Sequence, residues 1–156
     1  MIKVLVIGEE CVDKFVYCKT DRLSPEDPVP VINPIKTTTN GGMAGNTVAN
    51  IKALFPNSEV KGIHQIQKIT KTRFVEDKSN HMFVRLDEGD DFDDTFTWDE
   101  KAYASIKESD VVIVSDYDKG FLSDSDLEAI AYRSKLSILD SKRKLTDDIT
   151  KDFTFV

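Results

Sequence analysis

Three short apolar runs constrain this chain more than any other feature. Residues 2–7 are apolar apart from Lys3 and end at Gly8. Val111–Ser115 leads into Asp116-Tyr117-Asp118-Lys119-Gly120, and Leu136–Leu139 leads into Asp140-Ser141-Lys142-Arg143-Lys144. Apolar runs of this length without alternation suit strands of a parallel sheet covered on both faces. Helical patterns over 98–108 and about 125–133, the second capped by Ser123 or Asp124, separate them. A short helical stretch follows, and Phe153–Val156 reads as the start of another strand. Repetition of strand, loop and helix predicts βαβ units and an α/β fold. Ligands of open parallel sheets bind beyond the carboxyl ends of the strands. Asp13, Asp116, Lys119, Asp140 and Lys142 all fall at that end.

The 156 residues are enough for one domain with a real core, and 40% hydrophobic with 31% charged residues suits a globular chain. A net charge of -7 argues against a general nucleic-acid binder, although a local basic spot can still hold one phosphate. No apolar run approaches the roughly 20 residues that span a bilayer, so no membrane partner is expected. The opening residues read as a strand rather than a signal peptide, which predicts a cytoplasmic protein with Cys11 and Cys18 reduced. His64 and His81 lack ligand spacing, so no metal site is expected.

The middle of the chain is less regular. Asn40-Gly41-Gly42-Met43-Ala44-Gly45-Asn46 precedes a helix over about 45–54, with Val48, Ile51, Leu54 and Phe55 at helical spacing and a stop at Pro56. This stretch reads either as a tight turn before an ordinary helix or as a loop whose glycines let a ligand approach the backbone. Upstream, Pro25, Pro28 and Pro30 predict a loop, and Val29, Val31 and Ile35 an edge strand after it. Thr37–Thr39 connects that strand to the glycines. Residues 59–63 form a short strand, and 69–75 and 81–86 a hairpin joined by 76–80. With 14–18 and 29–35 they predict a small second sheet. Asp87–Asp94 is dense in acid and reads as a solvated loop.

Four stretches carry a family resemblance: the first strand with Gly8 and Asp13; Leu23-Ser24-Pro25-Glu26-Asp27-Pro28-Val29-Pro30-Val31; Gly41-Gly42 to Asn50; and Ser115-Asp116-Tyr117-Asp118-Lys119-Gly120. Lys71-Thr72-Arg73 and Arg85-Leu86-Asp87 also fit. These residues resemble the amino-terminal part of a ribokinase-type (PfkB) carbohydrate kinase, and are most similar to the heptose-7-phosphate kinase module of ADP-heptose synthases. The resemblance implies one ribokinase-like domain over residues 1–156: a parallel-sheet core, with β-lid strands inserted at about 14–36 and 69–87. It implies a sugar-phosphate site of Asp13, Gly41, Gly42, Asn46, Arg73, Arg85, Asp116 and Lys119, with Lys142 near the phosphate. Asp13 and Asn46 would bond sugar hydroxyls, and the arginines a phosphate.

The sequence departs from the family in two places. Only about residues 56–68 separate the Gly-motif helix from the lid hairpin, where the family has further strands and helices. The family's Gly-Ala-Gly-Asp motif, which supplies the base and the anion hole, is absent, so the chain reads as truncated before the nucleotide-binding half. No catalytic residue and no cofactor is therefore expected in this chain alone, with ATP and Mg entering only if a complementing nucleotide-binding chain joins it. A homodimer through the lid is also expected. The alternative to a split kinase is a non-catalytic sugar-phosphate-binding, structural or regulatory protein.

Overall fold

Along the chain the elements are β1 (Lys3–Gly8), β2 (Glu10–Lys19), β3 (Asn33–Met43), α1 (Ala44–Leu54), β4 (Glu59–Ile63) and β5 (Ile69–Glu76). Then come β6 (Met82–Glu88), α2 (Glu100–Glu108), β7 (Val111–Asp116), α3 (Asp124–Arg133), β8 (Ser137–Ser141) and α4 (Asp147–Thr150). The computed structural model describes residues 1–91 and 93–156.

The three apolar runs become neighbours in a parallel sheet of order β4-β1-β7-β8. Leu5, Ile7, Val112, Val114 and Leu139 pack with Phe96, Ile106, Leu127, Ile130, Ile149 and Phe153 into one apolar cluster under α2, α3 and α4. Burying a side chain of this size contributes about 1.5–3 kcal/mol, which is why unbroken apolar strands fix this sheet. Both helix starts are capped as side-chain chemistry requires. Asp99 accepts from the Ala102 N–H, and Ser123 forms a reciprocal capping box with Asp126. Residues 153–156 add one parallel bridge, Phe155 to Ile138, rather than a further strand.

α1 lies against β1, β4 and β7 without sharing that cluster. Its spacing predicted an apolar stripe ending in Leu54 and Phe55, but these are 72% and 61% exposed. Ala44 and Gly45 are the buried residues. Burial is concentrated at the start of the helix, and its last residues, Lys52–Leu54, are exposed. No helix among the described residues is long and apolar enough to cross a membrane.

The second sheet has the order β3-β2-β5-β6, with β2 and β5 parallel and both outer pairs antiparallel. The β5–β6 hairpin forms where expected, and the Glu76 carboxylate accepts from the Lys78 and Ser79 N–H groups in its turn. β2 begins at Glu10, not near residue 14. The edge strand expected around Val29–Ile35 is displaced: Val29–Ile32 stay outside any strand, and β3 runs from Asn33 to Met43. Proline offers no N–H to a ladder, so Pro28 and Pro30 delay the strand. Thr37–Thr39, expected to be a connector, pair directly with Lys14–Val16, as β-branched residues favour. Gly41 and Gly42 therefore lie inside β3 and make no turn.

A single residue, Glu9, separates β1 from β2. Gly8 before it has φ 151°, and a Cβ there would run into the Ser115 carbonyl of the neighbouring strand. Only glycine fits this crossing from one sheet to the other.

Candidate functional site

Residues two apart on a strand share a face. Cys11 and Asp13 of β2 and Lys71 and Arg73 of β5 therefore project together, and Arg85 of β6 pairs in register with Arg73. Opposite them, at the carboxyl ends of β7 and β8, stand Tyr117, Lys119 and Lys142, with Met43 beside them. These side chains line a cavity of about 420 Å³ between the two sheets.

The cavity wall gathers five cations in a chain whose net charge is -7. Four already face carboxylates. Arg73 Nη1 donates to Asp13 Oδ1 at 2.5 Å. Arg85 grips Asp87 through Nε at 2.7 Å and Nη2 at 2.5 Å, which holds the Asp87 carboxyl below the usual range. Lys119 Nζ donates to Asp90 at 2.7 Å. The buried Lys71 reaches only long ion pairs, 3.6 Å to Asp87 and 3.9 Å to Asp90. Lys142 has no carboxylate partner among the described residues; its ammonium stands 4.4 Å from the Tyr117 ring centroid. An approaching anion thus meets cations in excess of the three carboxylates paired with them.

Burial, then the charge of Asp13, push the Cys11 thiol up to about 11. Burial and the charge of Asp140 raise the Tyr117 phenol above its ordinary value. Neither group is anionic near neutral pH, so neither opposes an anionic ligand.

Of the residues read from the sequence, Asp13, Arg73, Arg85, Lys119 and Lys142 line the cavity. Gly41, Gly42, Asn46 and Asp116 do not. Gly42 stands behind the wall: a Cβ there would come within 2.5 Å of Asp13 Oδ2 and Cys11 Sγ, so glycine makes room for those side chains. The backbone turn falls instead on Met43, at φ 56° and ψ -132°, a conformation uncommon for a residue with a side chain. Asn46 is exposed on α1, and the first N–H of that helix, from Ala44, is taken by the Glu9 carbonyl at 2.9 Å. Asp116 is 1% exposed and turned into the fold. Its oxygens accept from Arg143 Nε at 2.6 Å, Arg143 Nη2 at 3.0 Å and Ser141 Oγ at 2.5 Å. Asp140 is exposed and outside the cavity wall.

The acidic run is not a simple solvated loop. Asp87 and Asp90 face cavity cations, and Asp94 accepts from the Ile66 and Gln67 N–H groups. Phe92, within that run, lies outside the described residues. Cys11, Met43, Lys71 and Tyr117 are cavity residues that sequence reasoning passed over. The spacing of two to Asp13 and Arg73 was the available signal for Cys11 and Lys71.

No protein-family model matches the chain. The bifunctional protein HldE of Campylobacter jejuni is 32% identical over 158 aligned positions, covering 85% of this chain and 33% of that protein. The chain spans about a third of the length of such relatives. A ribokinase from Thermotoga maritima superposes with a TM-score of 0.61 at 9% identity, over 98% of this chain and 58% of that one. The Arabidopsis thaliana ribokinase, solved in complex with ribose and ATP, gives 0.59 at 11% identity over 98% of this chain and 59% of its own. The chain has the α/β ribokinase-like fold, and it belongs to the ribokinase-type (PfkB) carbohydrate kinase family, related to the kinase module of the bifunctional HldE proteins.

Proposed function

We propose that the cavity binds a sugar phosphate of the heptose 7-phosphate class, as the acceptor side of a ribokinase-type kinase. One observation carries this reading: Lys142, without a carboxylate partner among the described residues, faces a cavity whose opposite wall holds Asp13 already oriented by Arg73. Asp13 Oδ2 accepts from a sugar hydroxyl while Arg73 keeps the carboxylate in place. Lys142 and Lys119 meet the phosphate, and Lys119 exchanges Asp90 for it. Arg85 and Lys71 supply positive potential from the lid side. A phosphate anion held by several donors in a site of restricted water access is bound far better than by the same groups in water.

Phosphoryl transfer additionally needs a base and an electrostatic clamp on the transferring group. Each carboxylate facing a cavity cation is charge-paired, and Asp116 is committed to Arg143. In this reading base, ATP and Mg belong to a nucleotide-binding part, and transfer requires it. The same pairing supports a second reading, a protein that binds the sugar phosphate without transferring to it. We also propose a homodimer through the lid. Met82, Val84 and Leu86, two apart on the outer strand β6, are each 48% exposed, an association-prone edge. Sedimentation of the wild type against Val84→Asp tests it, and equal monomeric masses at all concentrations would sink it.

Calorimetric titration with heptose 7-phosphate, and separately with Mg-ATP, tests the main reading. Sugar-phosphate binding without nucleotide binding is the expected result. Turnover by the chain alone would favour a complete catalyst, and silence towards both ligands would overturn the site.

A further inference from the structure

Glu9, the residue between the two sheets, is fully buried at 0% exposure. Its carboxylate bonds the loop after β7 at two points: Oε2 accepts from the Tyr117 N–H at 2.9 Å and Oε1 from the Lys119 N–H at 3.0 Å. Its own carbonyl accepts from the Ala44 N–H at 2.9 Å, at the start of α1. Among the described residues no lysine, arginine or histidine lies within ion-pair distance of it; the neighbouring Lys119 ion-pairs with Asp90, and the His64 ring stands 3.8 Å from the Glu10 carboxylate. A buried carboxylate without a counter-ion is tolerable only while hydrogen bonds satisfy its oxygens. Here the loop amides do so.

The bonded loop has an uncommon shape. Asp118, between the two donating amides, sits at φ 56°, a region that residues with side chains seldom occupy. Its own N–H is held by Asp116 Oδ1 at 3.1 Å. The residues on either side, Tyr117 and Lys119, both line the cavity. Lys142 rests on the Tyr117 ring, so the placement of that ammonium also follows the loop. Glu9 itself does not line the cavity.

We infer that Glu9 is the positioning residue of the core-side cavity wall: its carboxylate clamps the Tyr117–Lys119 loop so that Tyr117, Lys119 and Lys142 meet the ligand as one preset group. Positioning for binding rests on the sugar-phosphate reading of the cavity; clamping of the loop does not.

Amide hydrogen exchange on the full chain without ligand tests the clamp directly. Glu9→Gln keeps the shape of the side chain but replaces one accepting oxygen with a donor, setting two donors against each other. The Tyr117 and Lys119 amides then exchange about ten-fold faster or more, while Val112 and Val114 keep their wild-type rates. Binding of inorganic phosphate, used as the probe, weakens about ten-fold in the same variant. Unchanged exchange at Tyr117 and Lys119, or an equal rise throughout β7, overturns the inference. Glu9→Asp retains charge but shortens the reach; it gives the same local pattern more weakly, and wild-type protection there also overturns the clamp. If wild-type protein binds neither phosphate nor heptose 7-phosphate, the reading of the cavity fails, while the exchange pattern still decides the role of Glu9.

Discussion

Asp13 and Arg73, sixty positions apart in the chain, meet across the parallel pair β2–β5 with Nη1 2.5 Å from Oδ1. Each side chain is about four-fifths buried, at 24% and 21% exposure. Both therefore depend on the other for charge balance. In a double-mutant cycle, Asp13→Asn and Arg73→Met each destabilise the fold by about 1–3 kcal/mol. Their combination costs less than the sum by about 1 kcal/mol or more. Additive losses in chemical denaturation would show that the pair is not coupled. Asp13→Asn also weakens heptose 7-phosphate binding beyond its effect on stability.

The Asp116–Arg143 pair governs acid behaviour. Burial pushes the Asp116 carboxyl up, but hydrogen bonds from Arg143 and Ser141 outweigh it and hold the carboxyl below its ordinary value near 3.9. With a depressed folded value, the stabilisation is present above about pH 4 and is lost as pH falls through the folded pKa. Arg143→Met leaves Asp116 buried without its partner and costs about 3–5 kcal/mol near neutrality. Thermal unfolding of both proteins from neutral to acid pH checks this. The gap between them narrows below about pH 4, and a pH-independent gap would assign the loss to packing alone.

Cys11 titrates high because it is buried and faces Asp13. Its folded pKa of about 11 lies above the free thiol value near 8.5. The native state thus gains stability below about pH 8.5, and that gain is lost as pH rises through the folded value. Alkylation of the native chain near pH 8 runs at least about a hundred-fold slower than that of a free thiol. Fast labelling at Cys11 under those conditions would contradict the protonated state.

Lys142 separates binding from folding. Its ammonium stands over the Tyr117 ring and has no carboxylate partner among the described residues. Lys142→Met removes only this cation–aromatic contact, worth about 0.5–1 kcal/mol at a partly exposed site. Sugar-phosphate affinity falls about ten-fold, roughly 1.4 kcal/mol, and the salt dependence of binding becomes shallower. Melting temperature and affinity measured on one preparation decide the matter. Unchanged affinity removes Lys142 from the site.

The core sheet was legible because burial on both faces leaves continuous apolar strands at Val4–Ile7 and Val111–Val114, and this signal is local. The cavity was legible only in part, for the opposite reason. Whether Asp90 is solvated or ion-paired depends on Lys119, 29 residues away, and charge density along the chain carries no trace of that pairing. Asp116 shows the same limit: its place at a strand end suggested a ligand, while Arg143, 27 residues later, had claimed it. Gly42 suggested a turn or a ligand against the backbone, but what a Cβ there would meet is Asp13 and Cys11 on the next strand. Leu54 and Phe55 held helical spacing without burial because periodicity fixes the face of a helix, not how far the sheet extends beneath it.

The crossing at Gly8–Glu10 works as a short crank between two plates. β1 is pinned in the core sheet and β2 is an inner strand of the second sheet, so this link between the two sheets is one residue long. That residue also grasps Tyr117, Lys119 and Ala44. The residue that joins the two sheets here is thus the same one that ties together the loop after β7 and the start of α1.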